Sequence, residues 1–239
     1  MALYADPQAA GQPLYTSSAT QLHALGDRMS ANGRVYRYAR AGAADLVAGN
    51  WIQSPAQAAN HQNILVAAAA IGATQITVTL GATAATANQY AGGQAVVTIT
   101  PGIGQAIDIS GHPAAGSAAT LVLTLREPLR VALTTSTRID LCPNPFEGVI
   151  QSPVTTLTGA PVGVATYIIS ATQCGWLQVS GLAGALIAGT PGVGLAIVLP
   201  GTAAGAAVID GAASATPIVG RMVSTGGDGE NNGVMVLLD

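Results

Sequence analysis

The chain contains no lysine; its eight basic residues are all arginine. A P-loop needs a Lys to reach the phosphates, so Gly102-x-Gly104 and Gly192-x-Gly194 are glycine pairs in turns and not nucleotide loops. Charge of either sign is scarce, 8% of 239 residues against about 25% in an ordinary soluble domain. Between Gly148 and Ile209 there is no Asp, Glu, Lys or Arg at all. Such a stretch is poorly solvated, and a surface built from Ala, Gly, Ser, Thr, Asn and Gln suits packing against copies or partners. Aromatic residues make up only 4% of the chain, and the apolar 49% is largely Ala, which argues against a membrane protein. With a formal net charge of −3, little repulsion keeps copies apart.

Other absences narrow the function further. Met1 to Pro7 has neither a basic n-region nor an apolar h-region, so it does not read as a signal peptide. The uncharged run from Leu182 to Ile209 is interrupted by Pro191, Gly192, Gly194, Pro200 and Gly201, which points to buried strands joined by turns and not to a spanning helix. Cys142 and Cys174 are the only cysteines; they can pair, but two thiols in a chain this size more often serve as small buried hydrophobes. His23, His61 and His112 lack metal-ligand spacing, and His61 reads as a surface or turn residue. The carboxylates, with Asp108, Glu127 and Asp140 in or beside strands, are scattered singly; a glycosidase-like pair needs a tertiary coincidence. No cofactor, metal, nucleic acid, membrane or small-molecule substrate is expected, and no enzyme activity.

What is present is β pattern. Short runs of β-branched residues punctuated by Gly, Pro and Asn predict an all-β fold, one or two small β-barrel or β-sandwich subdomains with an extended N-terminal arm. In the first half, strands are expected at 75–80, 94–100, 105–110, 120–125 and 138–141, while 64–71 fits helix or strand. In the second half they are expected at 163–170, 176–179, 194–199, 206–209, 218–224 and 234–238. Cys142-Pro143-Asn144-Pro145 breaks any regular element, which places a boundary there: an arm over 1–33, a β-rich domain over 34–142 and a C-terminal β-barrel or sandwich over 146–239. Val47, Trp51, Trp176, Leu177, Val219 and Met235 are candidate core anchors, the last four and Trp51 also candidate subunit-interface anchors. The loop 226–233 carries Asp228 and Glu230 without an EF-hand's ligand series, so it reads as a hairpin loop with Asn232-Gly233 supplying positive φ.

Half of the arginines, Arg28, Arg34, Arg37 and Arg40, fall close together, with Arg34, Tyr36, Tyr38 and Arg40 on one strand face. Two readings stand side by side. One is a charged strand edge guarded against aggregation. The other is a docking arm in which Arg28, Arg34, Tyr36, Arg37, Tyr38 and Arg40 contact a partner, the guanidiniums pairing with its carboxylates.

Ala24-Leu25-Gly26-Asp27-Arg28 followed by Gly33-Arg34-Val35-Tyr36-Arg37-Tyr38-Ala39 resembles the start of the decoration (cement) proteins of tailed bacteriophages. Gly175-Trp176-Leu177-Gln178-Val179-Ser180-Gly181, Ile218-Val219-Gly220-Arg221 and Gly233-Val234-Met235-Val236-Leu237-Leu238 resemble their last part. The stretch from about Ala67 to Leu141 lies outside the resemblance. It implies a non-enzymatic virion protein, made in the bacterial cytoplasm, that binds the major capsid protein on the outside of the head and braces neighbouring capsomers, often as a homotrimer. A tail-fibre or spike component that binds a host receptor is the alternative. A surface adhesin and a polysaccharide-cleaving enzyme are less in keeping with the residues.

Overall fold

The computed structural model describes residues 11–211 and 217–239. Among them there are sixteen strands and no helix. In chain order they are β1 (Arg28–Ala31), β2 (Arg34–Ala41), β3 (Trp51–Gln53), β4 (Ile64–Val66), β5 (Gln75–Thr79), β6 (Gln94–Ile99), β7 (Ala106–Gly111) and β8 (Thr120–Leu125). Then follow β9 (Arg138–Cys142), β10 (Glu147–Gln151), β11 (Pro161–Ala165), β12 (Cys174–Ile187), β13 (Ala196–Val198), β14 (Val208–Ile209), β15 (Ile218–Met222) and β16 (Glu230–Leu237). The fold is all-β with a barrel subdomain, as the strand pattern implies.

The division into units differs from the linear expectation. One compact unit runs from the N-terminal side to Pro55 and resumes at Pro145; the other is Ala56–Asn144. The break at Cys142–Pro145 is therefore one of two crossings, and the residues of β2 and β3 belong with the C-terminal strands and not with a 34–142 domain. Topology gives the reason. Gln53 of β3 pairs with Ile150 of β10, antiparallel, so the whole second unit is inserted where a hairpin turn would otherwise sit.

The inserted unit is a closed barrel in the order β4-β5-β8-β7-β6-β9. Alternation builds it: in Thr120–Leu125 every second residue points inward, so Leu121, Leu123 and Leu125 are buried while Thr120, Val122 and Thr124 are exposed. Ile76, Val78, Val97, Ile109, Ile139 and Leu141 pack in the same interior with Tyr90. Each such aliphatic side chain contributes about 1.5–3 kcal/mol on leaving water.

In the other unit, β2, β10, β3, β11 and β12 pair in turn and β12 returns to β2, closing a ring of strands around Ala39, Leu46, Ile52, Val149, Ala165 and Leu177. The 14-residue β12 is the shared member. Its first half lies between β2 and β11; from Ser180 onward it pairs with β16, and β15, β13 and β14 follow. A parallel bridge from Ile187 to Ala207 brings this second set back toward β12, around Ile187, Ile197, Val219, Val234 and Val236. Gly181 sits at the handover with φ +90°, and a Cβ there would stand 2.8 Å from the Gly33 carbonyl oxygen, so only glycine fits. The uncharged run from Leu182 is thus strand and turn, as its Gly and Pro content implies.

The arm is not free. Its first ten residues lie outside the described residues, but Gln12, Leu14, Leu25, Met29 and Ala31 pack onto the outer faces of β2 and β12. Asn32-Gly33, both with positive φ, form the two-residue turn that joins β1 to β2 in the register Ala31↔Arg34. This is the favoured Asn-Gly hairpin signal, and it makes the last residues of the expected extended arm one strand of a hairpin.

Candidate interaction surface

The arginine cluster lies on the β1–β2 hairpin, and most of it is engaged within the chain. Arg28 and Arg37, opposite each other in the pairing, both bind the Asp239 side chain, at 3.1 and 3.0 Å. The Arg37 hydrogen bond, seconded by Arg28, holds the Asp239 carboxyl below its ordinary pKa. One terminal nitrogen of Arg40 reaches both Glu147 oxygens, at 3.0 and 3.1 Å, and the other donates to Gln21 Oε1 at 2.6 Å. Arg34 lies against the Tyr36 and Tyr15 phenols. The carboxylates that Arg28, Arg37 and Arg40 were expected to find on a partner are supplied by this chain itself.

Tyr36 and Tyr38 are core residues here, at 1% and 0% exposure, so their place on a contact surface is corrected. Alternation along β2 turns both toward the layer formed by the N-terminal segment, and burial pushes both phenols up in pKa. Tyr38 stacks edge-on between His23 and Trp176, with centroids 5.1 and 5.0 Å away. Gln12 locks the group. Its Oε1 accepts from the Tyr38 hydroxyl, its Nε2 donates to the Thr16 and Cys174 carbonyls at 3.0 and 2.9 Å, and its own carbonyl accepts from the Trp176 indole.

Of the expected anchors, Trp51, Trp176, Leu177 and Val219 are buried. Val47 is exposed and its neighbour Leu46 takes the core position. Met235 is not core: it is 40% exposed on the outer face of β16. There it pairs with Leu182 of β12 on one side and Arg221 of β15 on the other. Leu182, Leu237 and Val223 are exposed on the same face, and the Gly184–Gly233 pair leaves it flat. The inward partners of these residues, Ala183, Val234, Val236 and Met222, are buried, so one sheet is apolar on both sides. Among the described residues, Arg221 is the one charged side chain in the middle of that outer face.

The loop before β16 holds its carboxylates as turn caps. Asp228 accepts from the Gly189 amide and Glu230 from the Gly227 amide at 2.9 Å. Positive φ falls at Gly229, while Asn232 and Gly233 lie inside β16, a shift from the expected turn position. Among the described residues no three His, Cys, Asp or Glu side chains converge as a metal site, and no helix is long and apolar enough to cross a membrane.

In the barrel, His61 is fully buried and not a surface residue. Its Nε2 donates to the Thr83 carbonyl at 2.9 Å, which leaves Nδ1 to accept from the Tyr90 hydroxyl. The backbone amide of Tyr90 donates to His112 Nε2 at 3.0 Å, and His112 Nδ1 donates to the Pro113 carbonyl. Both rings are thereby occupied in holding loops. Burial, with Cys142 nearby, pushes the Tyr90 phenol up to about 12. Cys142 and Cys174 are unbonded thiols; Cys174 is buried beside Trp176. Asp108 and Glu127, distant in sequence, do come to one groove on the barrel, with Arg130 bound to Glu127 at 2.6 Å.

Compared with known proteins, the chain gives no significant match to a family model, a curated protein or a solved structure.

Proposed function

We propose that this chain is a non-enzymatic structural protein of a virion: a decoration protein that binds the outside of a tailed-phage head and braces neighbouring capsomers as a homotrimer. The observation that carries the reading is the exposed face of Leu182, Met235, Leu237 and Val223, apolar side chains around a single Arg221. Contiguous apolar patches of this kind mark interaction sites, and stable contacts bury roughly 800 Å² per partner. The face belongs to the C-terminal strands, where the sequence resembles decoration proteins. Repetition over a capsid lattice multiplies modest contacts into firm attachment. We assign contact with the capsid and with other copies to this apolar sheet and not to the arginine hairpin, where Arg28, Arg37 and Arg40 already pair with carboxylates of this chain.

The test is co-sedimentation of the purified protein with phage heads stripped of outer proteins, followed by gold labelling of whole virions with antibody to this chain. Saturable binding to heads and gold over the capsid are expected. Gold confined to the tail, or no binding to heads, overturns the reading and favours the tail-fibre alternative or a role outside the virion.

A further inference from the structure

The barrel closes unevenly. β7 and β8 pair only at Ile109↔Leu125 and Gly111↔Thr124. Beyond Leu125 one more bond, from the Arg126 amide to the Asp108 carbonyl at 2.9 Å, holds the seam. Then Pro128, which has no N–H, turns the chain away, and Leu129 pairs with Ala73 and Gly72 instead. Among the described residues, no backbone group bonds Ala106 or the Asp108 N–H on the side away from β6. Gln105 and Ile109 direct their backbone groups toward β6, bonding Val97 and Gly93, and Ile107 sits opposite Ala95 in the same register. By alternation Ala106 and Asp108 face the other way, into a groove of about 370 Å³ walled by Gly104–Asp108 and Glu127–Arg130.

We propose that this groove is a strand-addition site, taking up an extended segment of a partner polypeptide that carries one basic side chain. The Ala106 N–H and C=O and the Asp108 N–H offer the pattern an added antiparallel strand bonds to. The groove's size admits a few residues of extended chain and no folded domain. The side-chain preference follows from charge. Glu127 is neutralised by Arg130, whereas Asp108 accepts only an amide N–H from Gln94, at 2.9 Å, and has no cationic partner among the described residues. A Lys or Arg on the incoming strand completes that carboxylate. The site lies wholly within the barrel and does not depend on the proposed role at the capsid.

The probe is a capped hexapeptide of valine and threonine with one central arginine, titrated into the isotopically labelled full chain and followed by amide shifts. In the free protein the amides of Ala106 and Asp108 should exchange with solvent much faster than those of Ile107 and Ile109, which bond across to β6. The peptide is expected to shift Gly104–Asp108 and Glu127–Arg130 and to slow exchange at Ala106 and Asp108. Asp108→Asn should weaken it about two- to fivefold, the weight of one exposed ion pair, and a glutamate-for-arginine peptide should bind less than either. Ala106→Pro removes an N–H that has no partner among the described residues, so the barrel should keep its spectrum elsewhere and lose the peptide. Slow exchange at Ala106 in the free protein, no shifts at millimolar peptide, or shifts only outside the groove each overturn the proposal.

Discussion

Tyr38 and Trp176 face each other across the β2–β12 pairing, 138 positions apart in the chain, with ring planes at 62° and centroids 5.0 Å apart. Gln12 seals the pair from solvent and bonds to both. This contact is why the N-terminal segment belongs to the body of the protein.

Removing the Tyr38 hydroxyl leaves Gln12 Oε1 and the Leu22 amide without that partner. Tyr38→Phe should cost about 1–3 kcal/mol, the range for an unsatisfied buried group. Both tryptophans, Trp51 and Trp176, lie in the same unit, so urea unfolding followed by indole fluorescence reports on that unit alone. An unchanged midpoint would show that the segment is not anchored there.

Tyr90 makes the barrel sensitive to alkali. Its folded pKa, about 12, stands above the ordinary value of 10.0. The stability this contributes is complete below the unfolded value and is lost as pH rises through the window up to the folded one, because only the unfolded chain releases its proton there. In a phenolate absorbance titration, the difference between wild type and Tyr90→Phe should appear near the upper end of that window. A difference already complete near the ordinary value contradicts the burial described.

Much of this architecture was legible in the sequence. Thr120–Leu125 and Gln75–Thr79 alternate cleanly because one face meets a core and the other water, so a local pattern reports a tertiary fact. The insertion was not legible, since Gln53 pairing with Ile150 leaves no mark on either residue's neighbours. The arginine cluster is plain in the sequence, though not the hairpin that carries it, and its partners Asp239 and Glu147 are remote; a guanidinium seeking a carboxylate looks the same whether it finds one at home or abroad. Met235 sits on an apolar strand whose two faces are equally apolar, so composition could not say which side it took. Asn32-Gly33 falls inside the expected arm, yet it is two positive-φ residues between pairing strands.

The hairpin geometry of β3 and β10 predicts that the barrel is dispensable to its host. Replacing Ala56–Asn144 with a short glycine-containing turn should leave the remaining chain folded, because Gln53 and Ile150 are already paired. The check is tryptophan emission, which should stay at the buried wavelength. A shift to the solvent-exposed maximum refutes the modular description.

Burial of the Leu182–Met235 face by neighbouring copies is the claim on which the functional account stands. Sedimentation velocity of the purified protein across a wide concentration range, with Met235→Glu alongside, tests it most directly. The account predicts a trimer for the wild type and a folded monomer for the variant, since a carboxylate cannot be buried unpaired in an apolar contact. A wild type that stays monomeric at every concentration, or a Met235→Glu protein that assembles as readily, contradicts it.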